Sequence, residues 1–237
     1  MSGAFKFKEF TVNQDKCAMK IGTDGVLLGA WASVEAEPNT ILDIGAGTGV
    51  IALMLAQRSN AESIEAIEID DAAYEQCVAN FEGSPWGDRL FCFHAGLDEL
   101  VDDIDEPYDL IISNPPFYSE DVSSGTMARD LARQNSALPF DELLQSVSQL
   151  LSPDGSFAVI IPSKEEVGFL NIAQDLGLFP NRVTHVKGNP TAAVKRSLLQ
   201  LSGRKTQLLK NELIIETERH QYTTAYQTLV NSFYLKM

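Results

Sequence analysis

The sequence predicts a doubly wound α/β fold with a terminal antiparallel hairpin, and three observations carry that prediction. Short apolar strands alternate with helical stretches from Thr40 to Leu176, the pattern of a largely parallel sheet with helices on both faces. The stretch Thr40-Ile41-Leu42-Asp43-Ile44 runs into Gly45-Ala46-Gly47-Thr48-Gly49 and then directly into an Ala-, Leu- and Met-rich helix, Val50 to Gln57. Late in the chain, Asn181–Lys187 and Lys195–Ser202 read as two strands joined through Gly188-Asn189-Pro190.

Each element follows from its own residues. Phe5-Lys6-Phe7-Lys8-Glu9-Phe10-Thr11-Val12 alternates apolar and polar side chains, a short strand or hairpin start. Thr23 or Asp24 suits the N-cap of a helix through Trp31, and the same pair also suits a place beside a bound cofactor. Ser63–Asp70 is the next strand, and Asp70-Asp71 caps the helix Ala72–Phe81. Leu90–His94 is a third strand, with His94 read as a strand-end residue. Tyr108–Ile112 is a fourth. Asp141–Leu151 is an amphipathic helix, Pro153-Asp154-Gly155 a turn, and Ser156–Pro162 a buried strand. Lys164–Leu176 is a helix with Gly177 at its C-cap, Leu213–Ile215 a short strand, and Thr224–Leu235 a C-terminal helix. No linker divides the chain, so residues 1–237 are expected to form a single domain with an N-terminal extension of about 35 residues.

Composition bounds the function. With 44% hydrophobic and 22% charged residues the chain has the make-up of an ordinary globular protein. No apolar run approaches the roughly 20 residues that span a bilayer, and Met1–Lys6 lacks a signal-peptide pattern. Cys17, Cys77 and Cys92 have no metal-ligand spacing and an odd count, which fits structural thiols in a reduced cytoplasm. No metal is expected. The net charge of −15 is unevenly spread: residues 1–150 hold 8 basic against 26 acidic groups, residues 151–237 hold 10 against 7. Basic groups near the two ends, Lys6, Lys8 and Lys20 with Lys195, Arg196, Arg204 and Lys205, are expected to flank the site and meet phosphates.

Three strand ends carry chemistry, on the sheet edge where open α/β folds bind ligands. Glycines at 45, 47 and 49 let the backbone approach a ligand closely, and Asp43 just before them suits a cationic amino-acid head group. Their G-x-G-x-G spacing differs from the dinucleotide fingerprint and disfavours a dehydrogenase. Glu68, 19 residues after Gly49, sits near the spacing at which an acid meets ribose hydroxyls, and Ile69 can pack on an adenine face. Asn114-Pro115-Pro116-Phe117 is a stiff, extended strand exit, because neither proline donates a backbone hydrogen bond and each restricts the residue before it. The Asn114 oxygen and the Pro115 carbonyl can accept two hydrogen bonds from an amino group while Phe117 stacks on the flat system bearing it. The long polar stretch Tyr118–Pro139, with Arg129 and Arg133, fits a lid or substrate contact.

Asp43-Ile-Gly-Ala-Gly-Thr-Gly49, Glu68 and Asn114-Pro-Pro-Phe117 together resemble the class I S-adenosylmethionine-dependent amino-methyltransferases, whose sheet is Rossmann-like. The leader Asn13-Gln14…Thr23-Asp24-Gly25…Trp31 and the ending Tyr226…Ser232-Phe233-Tyr234-Leu235 narrow the resemblance to the bacterial tRNA1(Val) (adenine-37-N6)-methyltransferases. The resemblance implies S-adenosylmethionine as cofactor, held by Thr23, Asp24, Asp43, Gly45, Gly47, Gly49, Glu68, Ile69 and Asp98. It implies Asn114, Pro115 and Phe117 as catalytic residues, and adenosine 37 in the anticodon loop of a valine tRNA as substrate. One departure is Ala95-Gly96-Leu97-Asp98 where many relatives carry Gly-Asp, which leaves either a backbone group or Asp98 as the adenine contact. The same four residues at 114–117 would also suit a guanine amine of ribosomal RNA, a DNA adenine or a protein glutamine. A non-catalytic RNA-binding module on the same fold is the alternative outside enzymes.

Overall fold

A computed structural model describes residues 3–103, 106–116 and 138–236. Phe117, and residues 118–137 with Arg129 and Arg133, lie outside the described residues. In chain order the strands are β1 (Phe5–Lys6), β2 (Thr11–Val12), β3 (Thr40–Ile44), β4 (Ser63–Glu68), β5 (Leu90–His94), β6 (Tyr108–Ser113) and β7 (Leu151–Pro162). They continue with β8 (Phe179–Lys187), β9 (Arg196–Ser202), β10 (Leu209–Ile214), β11 (Glu216–Glu218) and β12 (Gln221–Tyr222). The helices are α1 (Thr23–Trp31), α2 (Val50–Arg58), α3 (Asp71–Glu82), α4 (Leu97–Asp103), α5 (Phe140–Leu150), α6 (Glu166–Asp175) and α7 (Thr224–Val230).

The central sheet has the order β10-β8-β9-β7-β6-β3-β4-β5. Strands β3 to β7 run parallel, and β9 lies antiparallel between β7 and β8. The expected hairpin is thus β8–β9, and a small hairpin, β11–β12, follows β10.

Side-chain alternation along the strands sorts the core into two faces. Ile41, Ala66, Leu110, Ile112 and Ile160 pack with α1, α2, α3 and α7. Their neighbours Leu42, Ile67, Ile111, Val159 and Ile161 pack with α4, α5 and α6. Both faces being covered explains why these strands read as nearly continuous apolar runs.

Several boundaries differ from expectation. The Pro153-Asp154-Gly155 turn is absorbed into β7 as a bulge, with the register stepping from Tyr108↔Leu151 to Leu110↔Ser156. The stretch Lys164–Leu176 opens with a single 3-10 turn, Ser163–Glu165, before α6 begins, and Gly177 follows in the left-handed region. The strand expected at Leu213–Ile215 begins earlier, because β10 pairs with β8 from Leu209. The C-terminal helix stops at Val230. Tyr234 instead bridges antiparallel to Phe7, and the Lys8 ammonium donates to the Asn231 carbonyl at 2.6 Å, so the chain's two ends are fastened together.

Candidate active site

The carboxyl ends of β3, β4, β5 and β6 meet along one edge, where each strand hands over to a loop. Gly45, Gly47 and Gly49 adopt φ of +72°, +57° and +76°, a region costly for residues with a Cβ. A Cβ at Gly45 or Gly47 would meet nothing within 4 Å, so that side of the loop is open. At Gly49 it would sit 2.6 Å from the Phe81 ring and 2.8 Å from Cys77 Sγ, so α3 wedges the loop from beneath.

Hydrogen bonds hold the loop in shape. The amides of Gly45 and Ala46 donate to the Ile67 carbonyl at 3.0 and 3.1 Å. The Gly47 amide donates to Glu68 Oε2 at 2.8 Å, and the Asp70 amide donates to Glu68 Oε1 at 2.9 Å. The buried Asn80 donates to the Thr48 carbonyl and to the Asn13 carbonyl, both at 2.9 Å, and accepts from the Asn13 amide at 2.8 Å. It thereby ties the residues before α1 to the loop.

Asp43 is fully buried. Its Oδ2 accepts from the Ala52 amide at 3.2 Å, inside the first turn of α2, and its Oδ1 has no partner among the described residues. Burial pushes its carboxyl up to about 7; the Ala52 N–H works against that rise and the Glu68 charge adds to it. A buried carboxyl with one idle oxygen suits a cationic donor from a ligand.

At the β6 end, the Ser113 hydroxyl donates to the Ile44 carbonyl at 2.9 Å and fixes Asn114 beside the glycine loop. Asn114 and Pro116 are part-buried and Pro115 is buried. Gly25 of α1 backs Asn114: a Cβ there would lie 3.8 Å from Asn114 Nδ2.

The remaining expected residues occupy the rim. Ile69 is 59% exposed, an apolar surface directly beyond Glu68, and His94 Nε2 holds its carbonyl at 3.1 Å. Asp98, in the first turn of α4, folds over Gly96, where an added Cβ would sit 2.5 Å from Asp98 Oδ1. Neither Thr23 nor Asp24 caps α1. The N-cap is the extended Gly22 with no side-chain cap bond, because both residues already lie inside the helix. Asp24 Oδ2 instead accepts from Arg196 Nε at 2.8 Å, and Thr23 lines a separate cavity.

The cations expected around the site divide. Arg196, opposite Pro162 at the β7 end, lies on this edge. Arg204 and Lys205 do not flank it, because β9 runs away from the site for seven residues, about 20 Å. There Arg204 pairs with Asp154 and Lys205 lies over the Phe179 ring. Lys20 donates to the Gln14 and Cys17 carbonyls. Cys17, Cys77 and Cys92 are free thiols, and burial pushes Cys17 up to about 11 and Cys77 higher than usual. Among the described residues no three His, Cys, Asp or Glu side chains are grouped to hold a metal, and no helix is long and apolar enough to cross a membrane.

Sequence reasoning missed Gly25, Cys77, Asn80 and Phe81. A signal for Asn80 existed: Gln76 and Asn80 are polar at i and i+4 on the buried face of α3.

Comparison with known proteins places the chain. The methyltransferase small domain family matches residues 23–177. A Flavobacterium johnsoniae protein, tRNA1(Val) (adenine(37)-N6)-methyltransferase, is 58% identical over 234 residues, covering 98% of this chain and 100% of its own. A protein of the same name from Bacteroides fragilis is 44% identical, with 98% of each chain covered. Among solved structures, a predicted O-methyltransferase from Agrobacterium tumefaciens superposes with a TM-score of 0.68 at 21% identity, covering 89% of this chain and 96% of its own. That likeness speaks to the fold, and the sequence relatives to the family. The chain belongs to the methyltransferase small domain family and, within it, to the bacterial group named tRNA1(Val) (adenine(37)-N6)-methyltransferase.

Proposed function

We propose that the chain transfers a methyl group from S-adenosylmethionine to N6 of adenosine 37 in the anticodon loop of tRNA1(Val). The observation that carries this reading is the 58% identity, over essentially the whole of both chains, to a protein of that name.

The donor set fits the cofactor. The idle Oδ1 of Asp43 suits the ammonium of its amino-acid portion. The first-turn amides of α2 suit its carboxylate. Glu68, whose oxygens each accept one backbone N–H, keeps acceptor capacity for ribose hydroxyls. The exposed Ile69 suits the adenine face, with Asp98 and the backbone beside Gly96 as its polar neighbours. Asp24, expected beside the cofactor with Thr23, is engaged by Arg196. The cofactor, when bound, supplies a methyl group already activated on a sulfonium.

The protein's task is then positioning. Asn114 Oδ1 and the Pro115 carbonyl accept the two amine hydrogens, which turns the nitrogen lone pair out of ring conjugation and toward the methyl group. Phe117 stacks on the splayed base. The amine proton becomes acidic only as the new C–N bond forms and leaves to solvent, so no strong base is needed. The reaction takes place in the cytoplasm, where tRNA is found. The chain acts as one domain with an N-terminal extension, which the shared core of Phe7, Phe10, Leu53 and Phe233 supports.

The test is incubation of the purified protein with labelled S-adenosylmethionine and tRNA from a strain lacking it, followed by nucleoside analysis. Label is expected in N6-methyladenosine of the anticodon-loop fragment. Label in methylguanosine, or in ribosomal RNA alone, overturns the assignment.

A further inference from the structure

At the start of α1, the helix whose Gly25 backs Asn114, lies a cavity of about 320 Å³. It is at the small end of the range for ligand sites, roughly 300–1,000 Å³. Its walls are Phe5 and Thr23 from the first part of the chain and Tyr222, Tyr226, Tyr234 and Lys236 from the last. Its four aromatic rings form two contacts, Tyr222 with Tyr226 at 5.3 Å and Phe5 with Tyr234 edge-on at 6.1 Å.

We infer that this cavity is a stacking pocket for a second unpaired nucleobase of the RNA, next to the base that Asn114 presents. The inference rests on the proposed function above. Four observations carry it. The site is aromatic on several sides, and base stacking on tyrosine needs no particular sequence. Tyr222 is 38% exposed and packs at 5.3 Å against the buried Tyr226. The exposed Thr23 hydroxyl and Lys236 ammonium supply a polar contact for a base edge and a charge for a phosphate. Thr23 and Gly25 are two positions apart on α1, a rise of about 3 Å, and Gly25 backs Asn114. An extruded adenosine at Asn114 would therefore bring its neighbour within reach of the tyrosines. Holding that neighbour open also removes its stacking on the reacting base.

The test uses the full chain and an anticodon stem–loop oligonucleotide. Y222A is expected to bind it about tenfold more weakly. Y222F should bind within about twofold of wild type, and both variants should keep wild-type affinity for S-adenosylmethionine. Wild-type affinity in Y222A overturns the inference, and so does equal weakening in Y222F, since the ring would then not be what the RNA meets. If Y222A does not fold, the same stem–loop carrying 4-thiouridine is crosslinked to the wild-type protein. Adducts on the Tyr222–Tyr226 peptide are expected, and their absence overturns the pocket. Methylation of the stem–loop by wild type is measured in parallel. Transfer with an unaffected Y222A removes this pocket alone, whereas no transfer to any RNA removes the reading beneath it as well.

Discussion

Glu68 at the end of β4 accepts the Gly47 amide at 2.8 Å, so the carboxylate of one strand end fixes the loop that leaves its neighbour. The residue proposed to hold a ribose therefore also shapes the loop. Glu68→Ala is expected to weaken S-adenosylmethionine binding by about 1–3 kcal/mol and to lower stability by a similar amount, because two charge-assisted bonds to backbone amides are lost. Calorimetric titration and urea unfolding measure the two effects separately. Unchanged values in both would remove Glu68 from either role.

Asp43 gives a pH prediction. Its folded-state carboxyl lies near 7, above its ordinary 3.8, so between these values the folded protein holds a proton that the unfolded chain has lost. The carboxyl's contribution to stability accordingly falls as pH rises through that window, by up to about 1.4 kcal/mol per unit. The proposed contact with the cofactor's ammonium needs the carboxylate, so affinity should fall as pH drops below about 7, with proton release on binding. Asp43→Asn should flatten both profiles. Calorimetry at pH 6 and 8 in buffers of different ionisation enthalpy tests this, and a wild-type profile in Asp43→Asn would refute it.

Asn114 should separate rate from affinity. Asn114→Ala is expected to lower single-turnover methylation far more than it weakens S-adenosylmethionine binding, since the amide is assigned to the reacting amine. A single-turnover rate within a few fold of wild type would show that the amide does not orient the substrate.

Gly49→Ala combines a left-handed backbone with a Cβ driven into Phe81 and Cys77. The two penalties together predict a loss of about 2–5 kcal/mol. Adding Cys77→Ala should restore part of the loss, because it removes one of the two clashing side chains. Urea midpoints of the single and double variants provide the comparison.

What could be read from the residues was whatever has a local signature. The β3–glycine loop–α2 unit declares itself by spacing, and the β6 exit by two prolines. The side-chain alternation that sorts Ile41 from Leu42 across the sheet is written in neighbouring residues. Pairings across the chain have no such mark. The charge of Arg196 suggests a phosphate contact, but nothing local marks its bond to Asp24, 172 positions away. Arg204 and Lys205 share its neighbourhood in sequence and lie at the other end of an antiparallel strand. The cap of α1 was misplaced by one or two residues because glycine, serine, threonine and aspartate compete for that position on similar terms. The thiol and ring beneath Gly49 depend on how α3 is rotated against the loop, which periodicity alone does not fix.

The bridge between Phe7 and Tyr234 makes the order of synthesis matter. A nascent chain that has cleared the ribosome as far as Ile161 already contains the glycine loop, Asp43, Glu68 and Asn114, all from the first half of the sequence. Phe5 and Thr23, made earlier still, must wait for Tyr222, Tyr226 and Tyr234 before the tyrosine-lined cavity closes. The groups proposed for cofactor recognition and those proposed for the second base contact are thereby completed at different times during translation, and a chain cut short before Tyr222 would keep the first set without the second.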